Sequence, residues 1–203
     1  IFDEEKDSKY IDGISINKRE NLVINGNNHT INADNNCKIF KINSSKVVLK
    51  NIIFKNSEST AIEVKNSSVT SINNIYTNDL NNSRALLILD GSGVSSTNDS
   101  FVDNFNNYGS SIIVDNSALG IENANFKTKY TINWATVYVS GRQSELKSTS
   151  NKSTFFPLGR GNSTEMQGLL ILPISFKDVE LPAIIAPVFP ALAKASISPA
   201  ANI

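Results

Sequence analysis

The stretch VVLKNIIF, Val47 to Phe54, decides the fold, because the chain writes the same pattern three more times. VTSINNIY (Val69 to Tyr76), VSSTNDSF (Val94 to Phe101) and LGIENANF (Leu119 to Phe126) follow at intervals of 22, 25 and 25 residues. The fifth position of each unit is Asn51, Asn73, Asn98 and Asn123, and the eighth is Phe54, Tyr76, Phe101 and Phe126. Ahead of each unit lies an alternating apolar pair, Phe40/Ile42, Ile62/Val64, Leu87/Leu89 and Ile112/Val114, with a further pair at Val137/Val139. Such alternation turns one face of a short strand toward a core. Two residues past each pair come Ser44, Asn66, Gly91, Asn116 and Gly141. Asn and Gly take a left-handed backbone most readily, so this column reads as a tight bend between two strands.

Several short strands in a repeat of about 25 residues, with no helical period, predict an all-β chain folded as a single-stranded parallel β-helix. About five to six coils fit between Ile14 and residue 156, with residues 1–13 as a lead-in or cap. Coils stacked roughly 4.8 Å apart set like side chains on like. The Asn column is thereby expected to form an amide ladder pointing inward, and the ring column an aromatic stack. Subtracting 25 residues from the defining stretch lands on LVINGNNH, which puts Gly26 in the ladder column and His29 in the ring column. Ile14 and Ile16 supply the pair before it.

Composition narrows the function. Lysine plus arginine equals aspartate plus glutamate at 19 each, so no basic field invites nucleic acid or an anionic membrane. Cys37 is the single cysteine, which excludes an intrachain disulfide framework and a cysteine-based metal site. All six prolines fall at or after Pro157, and alanine takes over from Ala183. Residues 157–203 therefore form a different tail, packed on the solenoid or disordered. Its apolar run is broken by Pro182, Pro187 and Pro190 and is no membrane span.

The stretches FKINSSKVVLKNIIFKN (Phe40 to Asn56) and LVINGNNHTINA (Leu22 to Ala33) resemble the coil pattern of right-handed parallel β-helix proteins of the pectin-lyase-like class. The resemblance is greatest to adhesin-like surface proteins of methanogenic archaea and to the related polymorphic outer membrane proteins of bacteria, and it covers about Ile14 to Asn151. It implies an extracellular or cell-surface protein that is structural or binds carbohydrate, with cell-surface glycans or surface proteins of a host or partner cell as partners and no cofactor.

Candidate chemistry is sparse. Asp90 and Asp115 fall in one expected column, with Lys65 a coil earlier. Two carboxylates a strand spacing apart are able to hold Ca²⁺ or act as an acid/base pair, as in β-helix polysaccharide lyases and hydrolases. A lyase would also need a base from Arg84 or Arg142, and the same column reads equally as a Lys-Asp ladder at a solvated bend. His29 has no second histidine to partner it. Trp134, Tyr138 and Tyr108 are candidate stacking rings for sugars. Asn-x-Ser/Thr acceptors stand at Asn28, Asn43, Asn66, Asn81, Asn98, Asn151 and Asn162, with Asn98 expected to face inward and be the least available.

Overall fold

In a computed structural model the structure describes residues 6, 8–78, 82–106, 110–128, 136–155 and 164–166. The chain is a parallel β-solenoid. After a short 3-10 turn at Ser8–Tyr10, the first coil holds β1 (Ile14–Asn17) and β2 (Leu22–Asn32), and the second β3 (Phe40–Asn43) and β4 (Lys46–Lys55). The third holds β5 (Ser59–Lys65), β6 (Ser68–Ile72) and β7 (Ile75–Thr77). The fourth holds β8 (Asn82–Leu89), β9 (Gly93–Thr97), β10 (Ser100–Val102) and the short β11 (Phe105–Asn106). The fifth holds β12 (Ile112–Asp115), β13 (Ala118–Glu122) and β14 (Asn125–Thr128). The sixth holds β15 (Val137–Ser140), β16 (Glu145–Thr149) and β17 (Lys152–Phe155), and β18 (Thr164–Met166) returns antiparallel against β17.

Three faces result. Face A stacks β1, β3, β5, β8, β12 and β15 in parallel order. Face B stacks the first halves of β2 and β4, then β6, β9, β13 and β16; face C stacks their second halves, then β7, β10, β14 and β17. The core lies between the faces, and its inward pairs on face A run from Ile16 through Phe40/Ile42, Ile62/Val64 and Ile112/Val114 to Val137/Val139, all buried. Along face C the rings of Phe54, Tyr76, Phe101 and Phe126 stack with centroids 5.0, 5.1 and 4.8 Å apart and interplanar angles of 19°, 7° and 14°. That spacing is the strand-to-strand distance of the sheet itself, so the offset stack follows from register.

The first corner, from face A to face B, is turned by Ser44, Asn66, Gly91, Asn116 and Gly141, all at positive φ as expected, with Lys18 heading the column. At Gly141 a Cβ would meet the Asn116 backbone nitrogen at 2.7 Å, so glycine is required there for both space and φ (+89). Behind this column stands a second one that the apolar repeat does not mark: Ser45, Ser67, Ser92, Ser117 and Ser144. The backbone N–H of Ser45 donates to Ser67 Oγ (3.0 Å), that of Ser67 to Ser92 Oγ (3.2 Å), that of Ser92 to Ser117 Oγ (3.2 Å) and that of Ser117 to Ser144 Oγ (3.3 Å). Each of the first four hydroxyls in turn donates to a carbonyl two or three residues back in its own coil. One small side chain thus satisfies a donor and an acceptor that the corner removes from the strand ladder.

Two registers differ from the spacing-based expectation. In the fourth coil Leu86 and Ile88, not Leu87 and Leu89, pair with Ile112 and Val114 and are buried. The run Leu86 to Leu89 is apolar at every position, which hides the alternation, and the displaced residue is Asp90, an extra member of the bend at φ 52. In the first coil β2 pairs with β4 in step from Leu22↔Val47 to Asn25↔Lys50, then resumes at His29↔Ile52, two residues out of step. Asn27 and Asn28 absorb the excess at φ 47 and 62. Ile31, not His29, therefore lies level with Phe54. His29 is exposed, its Nδ1 2.9 Å from the Gly26 carbonyl oxygen. Gly26 is likewise not a ladder member: it packs where a Cβ would stand 2.6 Å from Ile52 Cγ1, and the first rung is supplied by Asn25.

Candidate functional site

The second corner, from face B to face C, holds the most organised polar chemistry of the molecule. Asn51, Asn73, Asn98 and Asn123 turn it at φ of 52–57°, and their amides link coil to coil. Asn51 Nδ2 donates to Asn25 Oδ1 (3.1 Å), Asn73 to Asn51 (3.5 Å), Asn98 to Asn73 (3.2 Å) and Asn123 to Asn98 (2.6 Å). The ladder runs on the outside, contrary to the inward expectation, with Asn73, Asn98 and Asn123 exposed. A left-handed residue at a convex corner throws its Cβ outward and turns the following residue in. That following column is Ile52, Asn74, Asp99, Ala124 and Asn151.

Interior amides there replace the lost strand bonds. Asn74 Oδ1 accepts the Ile52 N–H (2.8 Å), Asp99 Oδ1 the Asn74 N–H (2.7 Å) and Asn151 Oδ1 the Ala124 N–H (2.7 Å). Asn74 Nδ2 donates to the Leu49 carbonyl and to Ser71 Oγ, both at 2.9 Å, and Asn151 Nδ2 to the Ile121 carbonyl (3.2 Å) and Ser148 Oγ (2.8 Å). Ser96 Oγ donates to Asp99 Oδ2 at 2.6 Å. The sequence carries a rule that explains the set. Where the inward residue of face B is serine, the residue three later is Asn or Asp (Ser71/Asn74, Ser96/Asp99, Ser148/Asn151); where it is apolar, so is its partner (Leu49/Ile52, Ile121/Ala124).

Asp90 and Asp115 do not share one register position. Val114 lies level with Ile88, which sets Asp115 beside Leu89 and leaves Asp90 outside the ladder. Asp90 is half-exposed in an ion pair with Lys65 (2.8 Å), and Asp115 accepts Ser140 Oγ (3.0 Å) and Asn116 Nδ2 (3.3 Å). Arg84 sits at the far end of β8, five residues or roughly 16 Å of strand from Leu89, and its guanidinium is lowered in pKa by burial. Arg142 is exposed past Gly141 and makes no ion pair among the described residues. Among those residues no three His, Cys, Asp or Glu side chains stand together as a metal cluster. Each carboxylate thus has partners of its own, and the two stand one residue out of step rather than in one column.

Tyr138 lies on the outer side of face A, half-buried, paired with Ile113. Trp134 and Tyr108 lie outside the described residues, as do Asn81 and Asn162 and nearly all of 157–203. Of the acceptor asparagines, Asn28 and Asn66 are exposed. Asn43 accepts the Ser44 hydroxyl (3.4 Å), Asn98 is held in the outer ladder and Asn151 in the inner one. Along the first corner runs a shallow groove of about 470 Å³, lined among others by Glu20, Lys46, Asn66, Ser68, Gly91 and Gly93. At Gly91 and Gly93 an added Cβ would meet nothing within 4 Å.

Fold and corners together define the class as a three-faced parallel β-solenoid whose corners are tied by asparagine and serine ladders. Set against protein-family models, curated proteins and solved structures, the chain matches none.

Proposed function

We propose that the chain is an adhesin-like module of the right-handed, pectin-lyase-like β-helix kind, extracellular or displayed at a cell surface, which works as a rigid structural or carbohydrate-binding surface. The observation that carries this reading is the division of polar groups. The polar side chains of the inner second-corner column are engaged in bonds within and between coils, whereas the first-corner groove leaves the Asn66 amide, the Ser68 hydroxyl, the Lys46 ammonium and the Glu20 carboxylate exposed beside two glycines. A shallow channel of amide, hydroxyl, ammonium and carboxylate groups suits sugar hydroxyls, and its volume falls within the usual range for small-ligand sites, about 300–1,000 Å³. The sequence pattern adds the resemblance to surface adhesins, and Tyr108, Trp134 and Tyr138 remain the rings proposed to stack on sugars.

The experiment is retention of the purified chain on immobilised polysaccharides and on cell-surface glycans. Gly93→Tyr supplies the blocked form, since Gly93 has open space around its Cβ. The reading expects retention that falls at least tenfold in Gly93→Tyr with an unchanged melting temperature. Cleavage of an acidic polysaccharide, lost in Asp115→Asn, would overturn it in favour of a carbohydrate-active enzyme.

A further inference from the structure

Asp99 is fully buried at 0 % exposure, on the inner side of the second corner in the fourth coil. The groups that hydrogen-bond it there are neutral. From the third coil it faces Ser71, the Asn74 N–H and Tyr76, whose hydroxyl is 2.8 Å from Ser71 Oγ. Its own coil contributes Ser96, and the fifth coil offers Ala124 in the same column. On the six strands packed around it (β6, β7, β9, β10, β13 and β14) the charged side chains are Glu122 and Lys127, and both are exposed on the outer surface. Tyr76 is the other titratable group facing it, raised well above the usual tyrosine range first by burial and then by the Asp99 charge.

The same column in the third and sixth coils is filled by Asn74 and Asn151, the neutral isosteres of a protonated aspartate. We propose that Asp99 is a pH-sensitive lock in the solenoid wall: as the neutral acid it completes the interior polar column, and its ionisation weakens the second corner between the third and fourth coils. A buried carboxylate with no cation beside it bears most of its desolvation cost uncompensated. The neutral acid keeps every contact, because the hydroxyls of Ser71 and Ser96 accept as readily as they donate. Burial accordingly pushes the Asp99 carboxyl up, against the lowering effect of hydrogen bonds from Ser71, Ser96 and the Asn74 N–H.

The sign follows from linkage. A carboxyl whose folded pKa lies above its unfolded value binds its proton more tightly in the folded chain, so its contribution is whole below the ordinary value of 3.8 and is lost as pH rises through the raised folded value. The test compares thermal unfolding of the full chain and of Asp99→Asn across pH 3 to 8. The difference between the two melting temperatures should widen in favour of Asp99→Asn by roughly 3–5 °C for each pH unit between the unfolded and folded values, then level off. Parallel curves would overturn the proposal. Should Asp99→Asn not fold, the side-chain carboxyl of Asp99 in the unaltered chain is followed by ¹³C NMR. Titration above the ordinary carboxylate range, together with loss of exchange protection at the Asn74 and Ile52 amides on ionisation, sustains the lock. Titration at or below 3.8 removes it.

Discussion

Asn73 and Asn74 are neighbours in sequence with the same side chain, yet one lies on the outer wall and the other at 0 % exposure inside it. Both make hydrogen bonds to the coils above and below. The outer amides do so in water, where each bond exchanges for one with solvent and nets little; the inner amides bond backbone groups that the corner has sealed off. The difference teaches that the visible ladder is not the one that holds the corner. Asn74→Ala tests this most severely, because it removes at once the side-chain bonds to the Ile52 N–H and the Leu49 carbonyl, together with one bond to the Ser71 hydroxyl. A loss of about 2–4 kcal/mol is expected in urea unfolding. A loss under about 1 kcal/mol would mean that water replaces the amide and that inside and outside are not distinct.

On the outer ladder, backbone conformation should matter more than the amide. Asn98 sits at φ 57 and shares both ends of its amide with Asn73 and Asn123. Asn98→Ala puts a Cβ with no local polar compensation into the left-handed region and should cost about 1–2 kcal/mol. Asn98→Gly removes the same rung but relieves the backbone, so it should cost only a few tenths. Equal losses in the two variants would show the rung itself to be the stabilising element.

How much of this was legible before any coordinates depends on which physical rule carried the information. The ring column from Phe54 to Phe126 and the left-handed bends from Ser44 to Gly141 could be read, because register in a solenoid forces like onto like. The side on which Asn51, Asn73, Asn98 and Asn123 point could not, since the alternation of strands was carried through a corner that breaks it. A positive φ inserts a half-turn, which sends the Asn out and the next residue in. Two slips share another cause. Leu86 to Leu89 offers no polar residue to mark a face, and the first coil hides its two extra residues among Asn27 and Asn28, whose left-handed conformations are easily accommodated. Counting in steps of 25 across that bulge puts His29 and Gly26 in columns they do not occupy. Counting across the other slip puts Asp90 in one column with Asp115, whereas the structure sets Leu89 there. The serine ladder and the Ser-x-x-Asn rule are written in the sequence, as Ser45, Ser67, Ser92 and Ser117 and as the three Ser/Asn or Ser/Asp pairs, but hydrophobic alternation does not mark them, since polar residues fill these core columns.

The inner column also has a gap that allows a gain. Ala124 offers no acceptor to the Asp99 N–H, although Asn74 and Asn151 serve the equivalent groups of Ile52 and Ala124. Ala124→Asn would set Oδ1 on that N–H and Nδ2 toward the Ser96 carbonyl, as Asn151 Nδ2 meets Ile121. A stabilisation of about 1 kcal/mol, or roughly 2–4 °C in melting temperature, is expected. The gain should vanish if the column is held by packing alone, since Asn and Ala would then differ only by the burial of an amide.

The smallest effect belongs to the outside. Asp12, in the lead-in, bonds to Lys41 and to Lys38 Nζ (2.9 Å), and Lys38 reaches Glu63 at 2.8 Å, so one short network ties residues before β1 to the second and third coils. Hydrogen bonds from Lys41 and then Lys38 hold the Asp12 carboxyl at about 2, below its ordinary 3.8. A depressed carboxyl contributes stability above the unfolded value and loses it as pH falls through the folded one, so the window runs from about 3.8 down to about 2. Asp12 is largely exposed, with 59 % of its side-chain surface open, and solvent screening keeps such a pair within about 0–1 kcal/mol. Asp12→Asn should therefore leave the melting temperature at neutral pH within a degree or two and flatten its fall below pH 4, an effect that 0.5 M salt should reproduce in the parent chain. A larger loss that salt does not touch would mean that the lead-in is held by the charged network as firmly as the corners are by their buried amides, and the distinction between inside and outside would have to be redrawn at the first coil.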